Sequence, residues 1–566
     1  VEMNLNENLV VSHIIALTPF CNTDDQIRLQ MANSQTRQSL FVKDLEFPYS
    51  STGYENLSNY ATVKSKFDSI RIFSDNDIVV LKYKEKSKHK YEVFLKLDYW
   101  VDTEKEEYKE GEVVLYHSSL IDQKYIKYGV NAHVAFMPYY GYNIEDAIVV
   151  SDSFARRMEA TKYDSIRFII PSKYTPVSLE KESYKPIPSI GDFYQKNEPI
   201  SIMVNSEKFQ SFFSNRIIRA PENMEIVNVK IFPNKWSSGR WDNYVQGWIL
   251  KNKKIIEKNK EIKSILYDTL YYKESFVGEF KNDNEFFDGV LVEIKYKYKK
   301  SLKIGDKLAN RHGNKGVISK IVPEKEMPTV NGKPLDILLN PLGGISRMNI
   351  GQVYEMYTGK IVDIIKNKIE TKEEIFDILK TIYVGTKWED IYTKYVEKYS
   401  DLDIQILKDN ITIYVPPFSD VVTYNKIYEI LSKYIPGFDF KDDVELKGNK
   451  ISGIATGYIY TMRLHHIAED KMKSTYSEET TYKYKQPKKG QRIGEMEEWA
   501  FSTWDAYNNM RELDMKSDNT EEKEQMIYKI IESGEVSIHE IEPKKKYSAR
   551  ILSQLFNVFG VEFGEE

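Results

Sequence analysis

The chain has 566 residues, 80 basic against 85 acidic, and is 41% hydrophobic, enough for roughly three or four domains' worth of core and against wholesale disorder. A net charge of −5 excludes a surface that is basic on average, so any nucleic-acid site has to be a local basic channel. The one cysteine, Cys21, excludes an internal disulfide and a Cys-rich zinc site. No zinc is expected, and a reducing, intracellular compartment fits best. No apolar run approaches the ~18–20 residues of a membrane span and no signal-peptide pattern is found, so no membrane partner is expected.

In chain order, a short apolar run (Leu9 to Leu17) precedes a polar stretch, Asp24 to Leu40, whose spacing predicts a helix. From Val63 to Val150 short β-rich runs alternate with charged turns. The block 165–295 reads as a separate module, with strands punctuated by Pro171, Pro176, Pro186 and Pro188. It includes a lysine-rich helix candidate, Lys251 to Tyr272, with Ile255, Ile262, Ile265 and Leu266 near one face. Lys295-Tyr-Lys-Tyr-Lys could stack bases, but a strand with lysines towards solvent is the simpler expectation. Helical periodicity dominates 349–433, strand signals return at Ile454 to Tyr460, and a helix is predicted around His465 to Lys473. A long helix is predicted over Glu495 to Leu513, where Met496, Ala500, Trp504 and Tyr507 form a stripe for a core or a subunit interface. A helix and a strand are expected in the tail that ends Val558-Phe-Gly-Val-Glu-Phe.

The most informative segment is Gly305-Asp-Lys-Leu-Ala-Asn-Arg-His-Gly-Asn-Lys-Gly-Val. Its glycines break any continuous helix or strand and allow backbone to approach a ligand, while Lys307, Arg311, His312 and Lys315 supply positive charge for phosphate. A nucleotide P-loop is excluded, because the Gly-x-x-x-x-Gly-Lys-Ser/Thr spacing is absent. His465 and His466 make poor joint metal ligands on a helix, where neighbours diverge by ~100°. Glu145 and Asp146, taken alone, read as solvated turn carboxylates.

The glycine run resembles the active-centre loop of the β subunit of multisubunit DNA-directed RNA polymerases. Further segments resemble the same family in the same order: Leu17-Thr-Pro-Phe, Asp24-Asp and Asn33-Ser-Gln-Thr-Arg-Gln, then Val134-Ala-Phe-Met-Pro-Tyr-Tyr-Gly-Tyr-Asn-Ile-Glu-Asp-Ala-Ile-Val-Val-Ser. After the glycine loop come Val322-Pro-Glu-Lys-Glu-Met-Pro and Leu339-Asn-Pro-Leu-Gly-Gly-Ile-Ser-Arg-Met-Asn-Ile-Gly-Gln. Tyr460-Thr-Met-Arg-Leu-His-His-Ile-Ala-Glu-Asp-Lys and Gly490-Gln-Arg-Ile-Gly-Glu-Met-Glu-Glu-Trp-Ala complete the series. Resemblance is weak over 165–295 and 360–450, and Gln486-Pro-Lys-Lys-Gly-Gln-Arg is shorter than the cellular pattern.

The resemblance implies a mixed α+β, multidomain chain: a fork and external-like segment at 1–62, and the external region with the first part of a hybrid-binding double-psi β-barrel at 63–164. A wall or flap module would cover 165–295, the rest of the hybrid-binding region 296–475 with a helical insert near 360–450, and a clamp and C-terminal anchor segment 476–566. It implies the C-terminal half of a β subunit, split as in giant-bacteriophage enzymes, located in the host bacterial cytoplasm during infection and in the virion as an additional place. Lys307, Lys315, Arg347, Arg37 and His466 would be the catalytic contributors. Lys307, Arg311, Lys315, Lys471 and Arg492 would bind nucleic acid, and Asp146 with Glu145 would assist a second magnesium ion. The sequence holds no Asp-x-Asp-x-Asp cluster, so the principal Mg2+ site is expected on a β′-like partner and the chain is not expected to be active alone. Partners implied are an N-terminal β-half chain, β′-like chains, a promoter-specificity factor, DNA template, RNA transcript and NTPs. The alternative is a nonenzymatic assembly or regulatory protein with the polymerase fold.

Overall fold

Six strands, two of them the arms of the glycine loop, close into a ring. They are β1 (Val130–Phe136), β2 (Ala147–Ser151), β3 (Lys307–Asn310), β4 (Lys315–Val322), β5 (Ile337–Leu339) and β6 (Asn449–Arg463). They pair in the order β1-β5-β2-β4-β3-β6, and β6 pairs again with β1. β1–β5 and β2–β4 are parallel and the other contacts antiparallel, so the barrel is mixed. Closure leaves no free edge between these strands. Val130, Val134, Ile148, Val150, Leu308, Ile318, Ile337 and Ile459 fall in one buried hydrophobic cluster, the main core.

In this computed structural model the described residues are 12–205, 216–233, 281–472 and 493–561, short stretches inside those ranges aside (56–61, 75–77, 85–90, 97–99, 118–119, 122–124, 172–173, 178–186, 283–284, 287–288, 519, 538–540, 542–546). They form two compact units, Val1–Lys471 and Met472–Glu566.

In the first unit, α1 (Gln26–Arg37) starts at Asp25, whose carboxylate accepts from the backbone of Ile27 and Arg28 as an N-cap. α2 (Pro341–Arg347) and α3 (Gly351–Asn367) follow β5. α3 buries Met356, Ile361, Ile364 and Ile365 in the main core. The predicted helical block then appears as α4 (Lys372–Tyr383), α5 (Glu389–Tyr399), α6 (Ile404–Asn410) and α7 (Tyr424–Tyr434). The described residues of 165–295 lie mostly in sheets of their own. Ala160–Ile170, Val290–Lys300 and Met224–Pro233 pair antiparallel over a separate cluster that includes Ile170, Ile226, Val292 and Tyr296. Tyr296 and Tyr298 point into that cluster while Lys295, Lys297 and Lys299 alternate with them, as expected for a strand with one wet face. The lysine-rich candidate helix at 251–272 lies outside the described residues.

Two helix expectations are corrected. Of the stretch His465 to Lys473, the described residues, as far as Met472, give only a single turn at Glu469–Lys471. The His465 N–H donates to the Gln38 carbonyl at 3.0 Å and the Ala468 N–H to Asp306 at 3.1 Å, so tertiary acceptors replace the helical ones. In the second unit, the helix predicted over Glu495 to Leu513 is broken into α8 (Glu495–Thr503) and α9 (Tyr507–Asp518), followed by α10 (Thr520–Ser533) and α11 (Tyr547–Val558). Asp505 takes a left-handed φ of 51°, the Ala506 N–H reaches the Phe501 carbonyl and the Asp505 N–H that of Ser502. This is a Schellman stop without the usual glycine. Met496, Trp504 and Tyr507 are all exposed, so the stripe is not core within this unit. Among the described residues no helix is long and apolar enough to cross a membrane.

Candidate functional site

The glycine loop is a hairpin whose strands belong to the barrel. Ala309 pairs with Lys315, and the turn between them, Arg311 to Asn314, folds inwards instead of outwards. Two glycines make this possible. Gly313 has φ +72°, and a Cβ there would sit 2.3 Å from the Arg28 carbonyl oxygen. At Gly316 a Cβ would sit 2.2 Å from the Asp146 carbonyl oxygen, so β4 lies closer to β2 than any side chain permits.

The inward half of the loop is a closed polar network. Arg311, expected on nucleic acid, is 1% exposed. It donates to Glu355 at 2.6 Å and to the carbonyls of Ser50 and Leu17, with its guanidinium over the Tyr460 ring. That placement corrects the expectation: a fully enclosed guanidinium with its own carboxylate does not reach a phosphate backbone. His312 lies between two carboxylates, Nδ1 2.6 Å from Asp24 and Nε2 2.5 Å from Glu355. Burial opposes its charge, yet Asp24 and Glu355 outweigh burial and lift its pKa to about 9. Burial likewise works against the Glu355 carboxylate, but Arg311 and His312 hold it down at about 2. Asn310, Asn349 and Gln352 brace the turn, Asn310 donating to Gln352 at 3.0 Å and Gln352 to Asn349 at 2.7 Å.

The outward half carries charge that no carboxylate among the described residues pairs with. Lys315 and Lys471 are exposed and Lys307 is half-buried. Burial, then repulsion from Lys471 and Lys315, lowers the Lys307 pKa. His466 is also lowered, first by burial and then by Lys471, His465, Lys307 and Lys315. Its Nε2 meets Gln38 Oε1 at 2.9 Å, next to the end of α1, and Lys471 Nζ lies 2.9 Å from its Nδ1. The acidic neighbours in sequence are turned away: Glu469 pairs with Lys300 and Lys303, and Asp470 with Lys162. Among the described residues none of Lys307, Lys315 and Lys471 has a carboxylate partner. Such a cluster repels itself and attracts polyanions.

Arg347, at the end of α2, pairs with Asp146 and reaches Asn314 Oδ1 at 3.4 Å, which brings it beside the loop. Glu145 and Asp146 are exposed on the approach to β2, with Glu145 at a left-handed φ of 55°. The Asp146 carboxylate is engaged by Arg347. Among the described residues no group of three or more His, Cys, Asp or Glu side chains is arranged to hold a metal ion. Arg37 is exposed in the last turn of α1, one residue before Gln38. Arg492 lies outside the described residues.

Sequence reasoning missed the groups that hold this arrangement. Asp306 and Arg463, each fully buried, pair at 2.8 Å across 157 positions. Arg463 also donates to the carbonyls of Met158, Lys300 and Ser301, while Asp306 accepts from the Ala468 and Lys303 backbone. The pair thus fastens the segment bearing His466 to the strand bearing Lys307. Glu355 and Asp24 play the same part beneath the turn. Their signal in the sequence is a carboxylate inside otherwise apolar or capping surroundings, which only the folded neighbours explain.

A sequence profile of the family described as "RNA polymerase Rpb2, domain 6" matches residues 55–492. The chain is similar to the DNA-directed RNA polymerase subunit beta of Streptococcus agalactiae serotype Ia, 28% identical over 545 residues, covering 91% of this chain and 41% of that protein. The same subunit of Streptococcus suis is equally similar, and that of Streptococcus pneumoniae is 28% identical with 40% of its length covered. The chain therefore spans about 41% of the length of the relatives it matches. Through that profile match, which takes in the barrel, the glycine loop and the His466 segment, the chain belongs to the RNA polymerase Rpb2 domain 6 family and corresponds to a C-terminal region of the β subunit.

Proposed function

We propose that this chain supplies the phosphate-binding lip of a DNA-dependent RNA polymerase that synthesises RNA from NTPs on a DNA template. The observation that carries the reading is the group Lys307, Lys315, Lys471 and His466 on the rim of the barrel, whose lysines have no carboxylate partner among the described residues, in a member of this family. Phosphoryl transfer depends on positioning and charge stabilisation, so ammonium groups near the RNA 3′ end contribute directly to rate. Arg37 and Arg347 grip the incoming triphosphate, Arg347 exchanging its contact with Asp146 for a phosphate. The RNA–DNA hybrid is held through its backbone and A-form shape.

In this reading the closed six-strand ring is the double-psi barrel, residues 165–295 the wall or flap, and the second unit the clamp segment. The remaining β-subunit region, β′-like chains carrying the catalytic aspartates and the principal magnesium site, and a promoter-specificity factor complete the enzyme. The test is extension of an RNA primer on a nucleic-acid scaffold by the assembled enzyme with Lys307→Ala and Lys315→Ala. We expect a loss of about a hundredfold or more with assembly intact. Wild-type extension would leave the chain as an assembly or regulatory protein with a polymerase fold.

A further inference from the structure

The helical insert contains a second site, remote in sequence from the glycine loop. α5, the turn Thr52–Tyr54 that follows strand Ser50–Ser51, and Asn410, Tyr414 and Pro416 line a half-open cavity of about 430 Å³, within the ~300–1,000 Å³ of small-molecule sites. α5 turns Ile391, Tyr395 and Tyr399 towards it at helical spacing, with Trp388 at the start of the helix.

The walls are fixed before any ligand arrives. Tyr395 and Tyr399 stack with ring centroids 5.7 Å apart, and the Tyr395 hydroxyl donates to the Thr412 carbonyl at 2.6 Å. On the opposite side the buried Glu55 accepts from the Ser51 hydroxyl at 2.6 Å and from the backbone N–H of Thr52 and Gly53 at 2.9 and 2.8 Å. The wall chemistry is one-sided in charge. Lys394 and Lys398, one helical turn apart, are exposed at the cavity, and no carboxylate is among its lining residues. Neither lysine has an ion-pair partner among the described residues, and Lys398 Nζ sits 4.9 Å from the centre of the Tyr399 ring. Asn410 donates its amide N–H to the Ile406 carbonyl, and its own amide oxygen is an acceptor for an N–H at a ring edge.

Aromatic walls favour a planar ring by stacking, paired ammonium groups favour an anion, and an amide acceptor favours a ring with an amino group. We propose that this cavity binds a free nucleoside monophosphate, the base among Trp388, Tyr395 and Tyr399 and the phosphate between Lys394 and Lys398. This is a nucleotide site separate from the phosphate-binding lip and does not depend on it.

Equilibrium dialysis of the full chain, free of nucleic acid, against AMP and against adenosine tests this. Saturable AMP binding at least tenfold tighter than adenosine is expected. Lys394→Ala with Lys398→Ala should bring AMP down to the adenosine affinity, and Trp388→Ala should weaken both ligands. Lys307→Ala with Lys315→Ala should leave AMP binding unchanged. Absence of saturable binding, equal affinity for the two ligands, or loss of binding in the Lys307 and Lys315 variant each overturns the proposal. So does tighter binding of a peptide bearing adjacent Tyr and Glu side chains, which would make the cavity a protein-docking site.

Discussion

Nine consecutive residues, 307 to 315, hold two pairs of cations with opposite fates. Arg311 and His312 turn inwards and meet Glu355 and Asp24, so their charges are matched by carboxylates built into the fold. Lys307 and Lys315 turn outwards and, among the described residues, face Lys471 and His466 with no carboxylate partner. Residue type does not separate the pairs, since all four suit phosphate. What separates them is whether a described carboxylate of the chain supplies the counter-charge or none does. The first pair is therefore structural and the second is available for function.

The largest effect should follow from breaking the inner balance. Glu355→Ala leaves Arg311 and His312 buried without their shared carboxylate and also removes the acceptor of the Tyr460 N–H. A loss of roughly 3–5 kcal/mol is expected for such an unmatched buried charge, read as a lower urea midpoint. A wild-type midpoint would show that the inner pair is not held by its carboxylates. Next comes Gly316→Ala, whose methyl group would meet the Asp146 carbonyl oxygen and part β4 from β2. About 1–3 kcal/mol of destabilisation is expected from such overpacking, and an unchanged thermal midpoint would contradict it.

The inner pair also predicts a pH dependence. His312 is held at about 9 in the fold against an ordinary 6.5, so folding favours its protonated form. Its contribution is complete below pH 6.5 and is lost as pH rises through about 9. Glu355, at about 2 against an ordinary 4.5, behaves oppositely, its contribution complete above 4.5 and lost as pH falls through about 2. The alkaline slope of unfolding free energy between pH 6.5 and 9 should flatten in His312→Gln. An equal slope in the variant would assign it to another group.

The glycine loop, the helical block and the outer lysines were legible because each is written locally, as breakers, periodicity and charge. The inward turn was not. It depends on Gly313 approaching the Arg28 carbonyl and on carboxylates at positions 24 and 355, so nothing within the loop tells Arg311 from Lys315. The Asp306–Arg463 pair spans 157 positions and leaves no periodic trace. The failed helix after His465 has the same origin, since its backbone finds Gln38 and Asp306 instead of its own carbonyls. The stripe Trp388, Ile391, Tyr395, Tyr399 follows the periodicity of a core face, although all four line a cavity.

The smallest change in stability belongs to the outer pair and sharpens the contrast most. Lys315 is exposed and has no carboxylate partner among the described residues, so Lys315→Ala should shift unfolding by no more than about 0.5 kcal/mol. The direction should be neutral or upward, because removing one of several like charges relieves repulsion on Lys307 and His466. The same substitution should lower the salt dependence of binding to an RNA–DNA hybrid, the slope of log affinity against log salt falling by about 0.7–0.9 if one phosphate contact is lost. Stability and binding are thus separable at this residue but not at Arg311, where an equivalent change disturbs both. A Lys315→Ala chain that unfolds early, or that binds hybrid with an unaltered salt slope, would mean that the outer cations also serve the fold.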